Sequence, residues 1–453
     1  MSTPGFLKAY IALVLLCVPA IAQNSAKQDA TKQDFSKESV VIEQTTTKVV
    51  FQSDGTYTYE QHVVARVQSD AGVRQYGVLP FPYQSSVGRV QVQEVRVIKP
   101  NGSVVATPLD SIQDVTSELY RDAPMYSDLR EKHVAVRGLE PGDTLEYSAR
   151  WLIENPLAPG QFWISCQFVK NMIVLDEQIE ISVPREREVK LKSQIIQPTI
   201  HEETGRRIYV WRRSNLESQS AEKEKEVQRY DAIRGLLPPP DILISSFRTW
   251  EEVGRWYEGL QQEKIQPSPE VRAKAVELTK GLSDDDAKLR AIYNYVSLRY
   301  RYVAISFGIG RYQPHAAAEI LENQYGDCKD KHTLLAALLS GVGIRAYPAL
   351  INTRMVVDVD VPSPGQFDHV ISVVAKGKLM DGCRQCGPFN ASSRGPETGL
   401  GEITPRKSAW RSESGIGAGQ VSLDAEAFIV PDRLISPKPT FVPQVSGGLT
   451  SRS

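Results

Sequence analysis

Between Val40 and about Arg213 apolar residues mostly recur at every second position, the period of a strand with one buried face. Thr47–Gln52 and Thr56–Val67 flank Ser53-Asp54-Gly55, which predicts a β-hairpin. Val90, Val92, Val95 and Val97 lead into Lys99-Pro100-Asn101-Gly102, and Ser103-Val104-Val105 follows. That is a second hairpin, with a bulge between Val92 and Val95 where the alternation slips phase. Glu140-Pro141-Gly142-Asp143 forms a third turn ahead of Thr144–Trp151, and Arg207–Trp211 closes the run. Short strands with turn signals at this spacing predict an antiparallel β-sandwich over residues 38–215.

The period then changes. The charge run Ala221–Gln228 and the stiff Leu236-Leu237-Pro238-Pro239-Pro240 predict a linker over 216–247. Beyond it the apolar spacing is helical. Thr249-Trp250-Glu251-Glu252 reads as a capping box, Ser268-Pro269 starts a second helix, and Ser283-Asp284-Asp285-Asp286 caps a third. Leu289, Ile292, Tyr293, Val296 and Tyr300 make its buried stripe. A short helix runs to Leu321, and Cys328 to about Leu339 forms another, with Leu334, Leu335, Leu338 and Leu339 inward and Gly341 or Gly343 at its end. Strands follow at Ile344–Asn352, Phe367–Ala375 and from Lys378. The fold class is α+β, with a helix-plus-sheet core over 248–390. Over 391–453 the pattern dissolves into Gly, Ser, Pro and Arg, which predicts an irregular tail.

Composition narrows the function classes. With 53 basic and 54 acidic residues in 453 and a formal net charge of −1, nothing electrostatic calls for nucleic acid or an anionic membrane. Lys8, a short apolar run and Ala20-Ile21-Ala22 read as a signal peptide over 1–22, ahead of a polar leader over 23–37. The expectation is an exported protein, periplasmic or secreted, with no membrane span once the signal is cut. Cys166, Cys328, Cys383 and Cys386 then remain, too few for a disulfide scaffold in a chain of this length. Cys383-Arg384-Gln385-Cys386 lacks a second ligand pair, so it is a weak zinc or redox signal. Asp358 and Asp360 could touch Ca²⁺, but two carboxylates in a loop are more often solvated. No metal or cofactor is expected. The isolated His62, His133 and His201 read as structural or exposed.

The chemistry concentrates in Tyr325-Gly326-Asp327-Cys328-Lys329-Asp330-Lys331-His332 and Phe367-Asp368-His369-Val370. Cys328 opens a helix, where unpaired N–H groups and the positive end of the dipole stabilise a thiolate. Its charged neighbours imply a solvated helix start. Gly326 allows the close backbone approach that an oxyanion-binding turn needs. His369, in a β-branched strand, is the candidate base. Asp368 cannot orient its ring, because adjacent strand residues face opposite ways. Asp381 is the candidate third member. If Lys376-Gly377-Lys378 form the loop, Ala375 pairs with Leu379 and Asp381 shares the His369 face; if only Lys376-Gly377 turn, Asp381 points away. His332, one helical turn past Cys328, is a supporting residue or bystander.

These motifs, with Phe307-Gly308-Ile309-Gly310-Arg311-Tyr312-Gln313-Pro314-His315, resemble the bacterial transglutaminase-like superfamily over roughly 245–390. The β-rich region resembles the uncharacterised domain that precedes such cores in exported bacterial proteins. The resemblance implies a papain-like fold with Cys328 as nucleophile, His369 as base and Asp381 as its orienting partner. It implies attack on a carboxamide or peptide bond of a protein, peptide or cell-wall amide, through a thioester. The chain departs from the family pattern after Leu379. The alternative expectation is therefore a non-catalytic binding or scaffold protein, or a truncated or frame-shifted family member.

Overall fold

The computed structural model describes residues 34–116, 128–217, 239–303, 309–352, 357–374, 378–380, 400–402 and 428–429. The predicted signal peptide, the charge run Ala221–Gln228, Asp381, Cys383 and Cys386 lie outside the described residues.

The first hairpin pairs β1 (Val40–Phe51) with β2 (Tyr57–Val67). Asp54 Oδ1 accepts from the Thr56 N–H at 2.9 Å and from its hydroxyl at 2.7 Å, which closes the turn. A short helix, α1 (Asp70–Tyr76), capped by Ser69, interrupts the alternation. There follow β3 (Val78–Gln84), β4 (Gly88–Ile98), β5 (Val104–Ala106), β6 (Gln113–Thr116) and β7 (Leu129–Ala135). Next come β8 (Thr144–Ile153), β9 (Trp163–Cys166), β10 (Ile173–Pro184), β11 (Lys190–Ser193), β12 (Thr199–Glu203), β13 (Arg206–Asn215) and β14 (Ile242–Ser245). The bulge in β4 falls between Val92 and Glu94, inside the predicted interval.

An eight-stranded sheet runs β12-β13-β10-β1-β2-β8-β4-β5, and two three-stranded sheets, β3-β7-β6 and β11-β14-β9, pack against it. Leu79, Phe81 and Val134 close one half of the core against Val63, Val90 and Leu145. Ile164, Ile242 and Ile244 close the other against Val49, Ile181 and Trp211. Two expectations are corrected here. β1 pairs with β10 in parallel, so the sandwich is not wholly antiparallel. The predicted linker also ends too late: Ile242–Ser245 is a fully buried strand between β9 and β11, because an unbroken Ile-Leu-Ile run suits a strand covered on both faces.

The second part is helical, as its period predicts: α2 (Trp250–Gln262), α3 (Pro269–Leu278), α4 (Asp285–Arg299), α5 (Ala317–Asn323) and α6 (Cys328–Ser340). Thr249, Ser268 and Asp284 each accept from a first-turn N–H and cap α2, α3 and α4. β15 (Arg301–Tyr302) pairs in parallel with β16 (Tyr325–Gly326) just ahead of α6. β17 (Ala346–Ile351), β18 (His369–Val374), β19 (Lys378–Met380), β20 (Leu400–Glu402) and β21 (Phe428–Ile429) form a sheet ordered β20-β19-β18-β17-β21. α6 is central. Every residue from Lys329 to Leu339 is buried, with α3, α4 and α5 on one side and β17 and β18 on the other.

Candidate active site

The parallel β15–β16 pair delivers the chain to Asp327, the N-cap of α6. The Asp327 carboxylate accepts from the N–H of Lys329 at 3.1 Å and of Asp330 at 3.2 Å, while Asp330 accepts from Asp327 N at 3.4 Å. This reciprocal box fixes Cys328 as the first helical residue, whose own N–H has no intrahelical acceptor. Gly326 serves the box: a Cβ there would lie 2.6 Å from Asp330 Cβ. The close approach it permits in this structure is to Asp330.

The expected solvated helix start is also corrected. Asp327, Lys329, Asp330, Lys331 and His332 are all buried, whereas Cys328 is half-buried. Burial of charge on this scale survives only by pairing. Lys329 Nζ contacts the Asp327 carboxylate directly. Asp330 Oδ1 accepts from the His315 N–H at 2.9 Å, and the His315 Nδ1 lies 3.2 Å from both Asp330 oxygens. Burial works against the Asp330 carboxylate, but Lys329 and His315 outweigh it and hold its pKa at about 2. Burial alone would lower His315; Asp330 reverses that and raises it. Lys329 is likewise raised by Asp327 and Asp330 in spite of burial. In the tightly coupled Asp327–Lys329 pair, burial lifts the aspartate and Lys329 opposes that lift. Tyr257 of α2 lies within electrostatic reach of the Cys328 thiol, its phenol raised well above the usual range by burial and then by Cys328.

α6 and β18 run in the same sense. Val374 belongs to the same apolar cluster as Leu335, Leu338 and Leu339, and His332 Nδ1 lies 2.8 Å from Ser372 Oγ. Val370 shares an apolar cluster with Cys328. Cys328 and His369, each the first residue of its element, therefore stand at the same end of the helix–sheet layer. All six residues of β18 are buried, so both faces of this strand are covered, not one. His332 is a packing residue: burial drives its pKa down to about 3, and its Nε2 has no hydrogen-bond partner among the described residues.

Neither register expected for the turn after β18 is adopted. Val374 pairs with Lys378, Val373 with Leu379 and Ser372 with Met380, so it is Val374, not Ala375, that meets Lys378. Asp358 and Asp360 pair with Lys192 of β11 at 3.2 and 3.1 Å, so their role is a contact between regions. No cluster of three or more metal-ligating side chains occurs among the described residues. His62 meets Glu146 and His133 meets Glu131, while His201 sits on the exposed edge strand β12. The sequence reading passed over Tyr257 and His315. The available signal for His315 was its place in Gln313-Pro314-His315, but only the fold shows that it meets Asp330.

Comparison with known proteins bears on the helix that carries Cys328 and on the β-rich region ahead of it. Residues 272–360 match the family model of the Transglutaminase-like superfamily. The match includes Cys328 and ends ahead of His369. Residues 53–219 match DUF3857, a domain of unknown function with a solved structure. The resemblance read from the sequence holds on both counts. A crystal structure from Parabacteroides distasonis ATCC 8503, named as a candidate protease, is 16% identical with a TM-score of 0.63, over 76% of this chain and 65% of its own. At that identity it shows the α+β fold alone, and the chain spans less than two thirds of that protein. An M1 zinc metallopeptidase from Deinococcus radiodurans, 9% identical over 57% of this chain and 53% of its own, has a TM-score of 0.24. A CBM3a-L domain from a cellulosome scaffoldin of Clostridium thermocellum, 14% identical over 26% of this chain and 68% of its own, has a TM-score of 0.17. Neither bears on the fold. No curated protein matches the chain. Among the described residues, no helix is long and apolar enough to cross a membrane.

Proposed function

We propose that the chain is an exported cysteine acyl-transferase or amidase that cleaves a carboxamide or peptide bond through a thioester. The observation that carries this reading is the placement of Cys328. It is the half-buried first residue of a helix whose next residues are buried, at the end of the layer where His369 begins its strand. A scaffold has no physical need for a thiol there.

In this reading Cys328 Sγ attacks the carbonyl carbon as its proton passes to the His369 imidazole. The developing oxyanion takes the unpaired N–H of Cys328 at the positive end of α6. The C–N bond breaks, the amine leaves with the His369 proton, and a thioester remains. Water then gives hydrolysis, or a second amine gives transfer. Pleating groups His369 with Ile371 and Val373, away from the Val370–Ser372–Val374 row that meets α6. The dyad therefore requires the His369 ring to turn towards Cys328 at the N-terminal end of β18. Asp381 is proposed as the orienting carboxylate on its place in Leu379-Met380-Asp381-Gly382, the stretch that resembles the family pattern. Export rests on the signal-like segment 1–22.

The test is Cys328→Ala. Peptide and amide turnover is expected to vanish while folding is retained; undiminished turnover in a folded variant ends the enzyme reading.

A further inference from the structure

The segment that carries the chain into His369 is gripped from the other half of the molecule. Residues 357–368 form an irregular knot around Gln366, which is wholly buried. Gln366 Nε2 donates to the carbonyls of Val361 at 2.5 Å and Asp358 at 3.0 Å, and its Oε1 accepts from Asp358 N at 2.7 Å. Phe367 then packs edge-on against Trp250 at 5.7 Å, and its carbonyl accepts from Arg311 at 3.1 Å. The next residues are Asp368 and His369.

Each strand of the small β11-β14-β9 sheet touches this knot. From β14, the buried Ser245 hydroxyl donates to the Pro362 carbonyl at 2.5 Å. From β9, the Trp163 indole lies over Gly365 so closely that a Cβ there would sit 2.8 Å from its Cδ1. From β11, Lys192 spans Asp358 and Asp360. Trp163 and Lys192 fall inside the DUF3857 match, and Ser245 lies between the two matched segments. Trp163, Leu157 and Ala158 also belong to the aromatic cluster that includes Cys328. The β-rich half thus holds both the wall beside the nucleophile and the strap before the base.

We infer that the β-rich half is a positioning part of the catalytic core, with Ser245 as the residue that sets where residues 357–368 deliver His369. This rests on the thiol–imidazole reading above. The reason is geometric: a displacement of about 1 Å in a reacting group costs about 100-fold in rate, and an irregular strap has no ladder of its own to resist it. Removing the Ser245 hydroxyl also leaves the Pro362 carbonyl without that donor, which favours a shifted strap.

The experiment uses the full chain and iodoacetamide as probe, following Cys328 alkylation by peptide mass spectrometry from pH 5 to 9. Ser245→Ala is expected to slow Cys328 alkylation at pH 7 by about tenfold and to move its pH profile onto that of His369→Ala. Ser245→Thr is expected to restore the wild-type profile, and Gly365→Ala to copy Ser245→Ala. If Ser245→Ala folds and keeps the wild-type profile, the grip is only structural and the inference falls, while the dyad stands. If Ser245→Ala does not fold, Lys192→Met at the exposed end of the grip decides. A shift of about twofold in the same direction supports the inference, and no shift overturns it. A His369→Ala profile identical to wild type removes the dyad itself and this inference with it, a failure visible without any Ser245 variant.

Discussion

Two cysteines among the described residues show what environment does to one side chain. Cys166 lies in β9 under the large sheet, buried, with Glu177 and Asp241 as its charged neighbours. Burial pushes its thiol up to about 12, and both carboxylates push the same way. It behaves as a small apolar residue. Cys328 opens a helix, half-exposed, among paired charges and at the end of a strand that starts with His369. The same contrast separates the carboxylates. Glu177 forms no ion pair among the described residues; it accepts from the Val169 N–H at 3.2 and 3.1 Å, and burial outweighs that bond and the more distant Arg213 and Lys170 charges to raise it to about 7. Asp330, more deeply buried, is held at about 2 by Lys329 and His315. Depth of burial does not decide protonation in this molecule; the partner supplied at that depth does.

The largest expected break in that comparison is chemical. Cys328→Ala should lower turnover by at least about 1,000-fold, whereas Cys166→Ala should leave it within about twofold, both read from peptide or amide hydrolysis on folded protein. Next is Asp330→Asn. It removes the carboxylate paired with half-buried His315 and leaves buried Lys329 with Asp327 alone, and should destabilise by about 3–5 kcal/mol in urea unfolding.

Glu177 sharpens the contrast through its sign. Its folded pKa lies above the unfolded value, so the folded state holds the proton more tightly, and that stability is present at low pH and lost as pH rises from about 4.5 to 7. Glu177→Gln should therefore stabilise at pH 8 by up to about 3 kcal/mol and do little at pH 4, measured as the pH dependence of the urea midpoint. His332 runs the other way. Burial lowers it, so its stability is present above about 6.5 and lost as pH falls towards 3. Ser372→Ala, which removes the partner of His332 Nδ1, should cost about 1–3 kcal/mol at pH 8, read from the same unfolding curves.

Much of this architecture was legible along the chain. Alternation marked the hairpins, because a strand with one wet face must repeat every second residue. Thr249, Ser268 and Asp284 marked helix starts, because a first-turn N–H needs a nearby acceptor. The motif around Cys328 marked the residue proposed here as nucleophile. What failed was whatever depends on distant partners. Asp327, Lys329 and Asp330 read as solvated because charge implies water until His315, far back in the sequence, is brought to Asp330. β1 overlaps a strand read from alternation, but nothing local says that it pairs in parallel with β10. Ile242–Ser245 hid behind a proline run. The β18–β19 register turned on a single residue of loop.

Environment is proposed to make Cys328, and not Cys166, a nucleophile served by His369. The direct measurement is competitive iodoacetamide labelling of the folded chain at pH 7, with both cysteines quantified by peptide mass spectrometry in wild type and His369→Ala. The account predicts that Cys328 labels well ahead of Cys166 and of a free cysteine peptide, and that His369→Ala removes that lead. A Cys328 that labels no faster than the peptide, or whose rate is indifferent to His369, would contradict it.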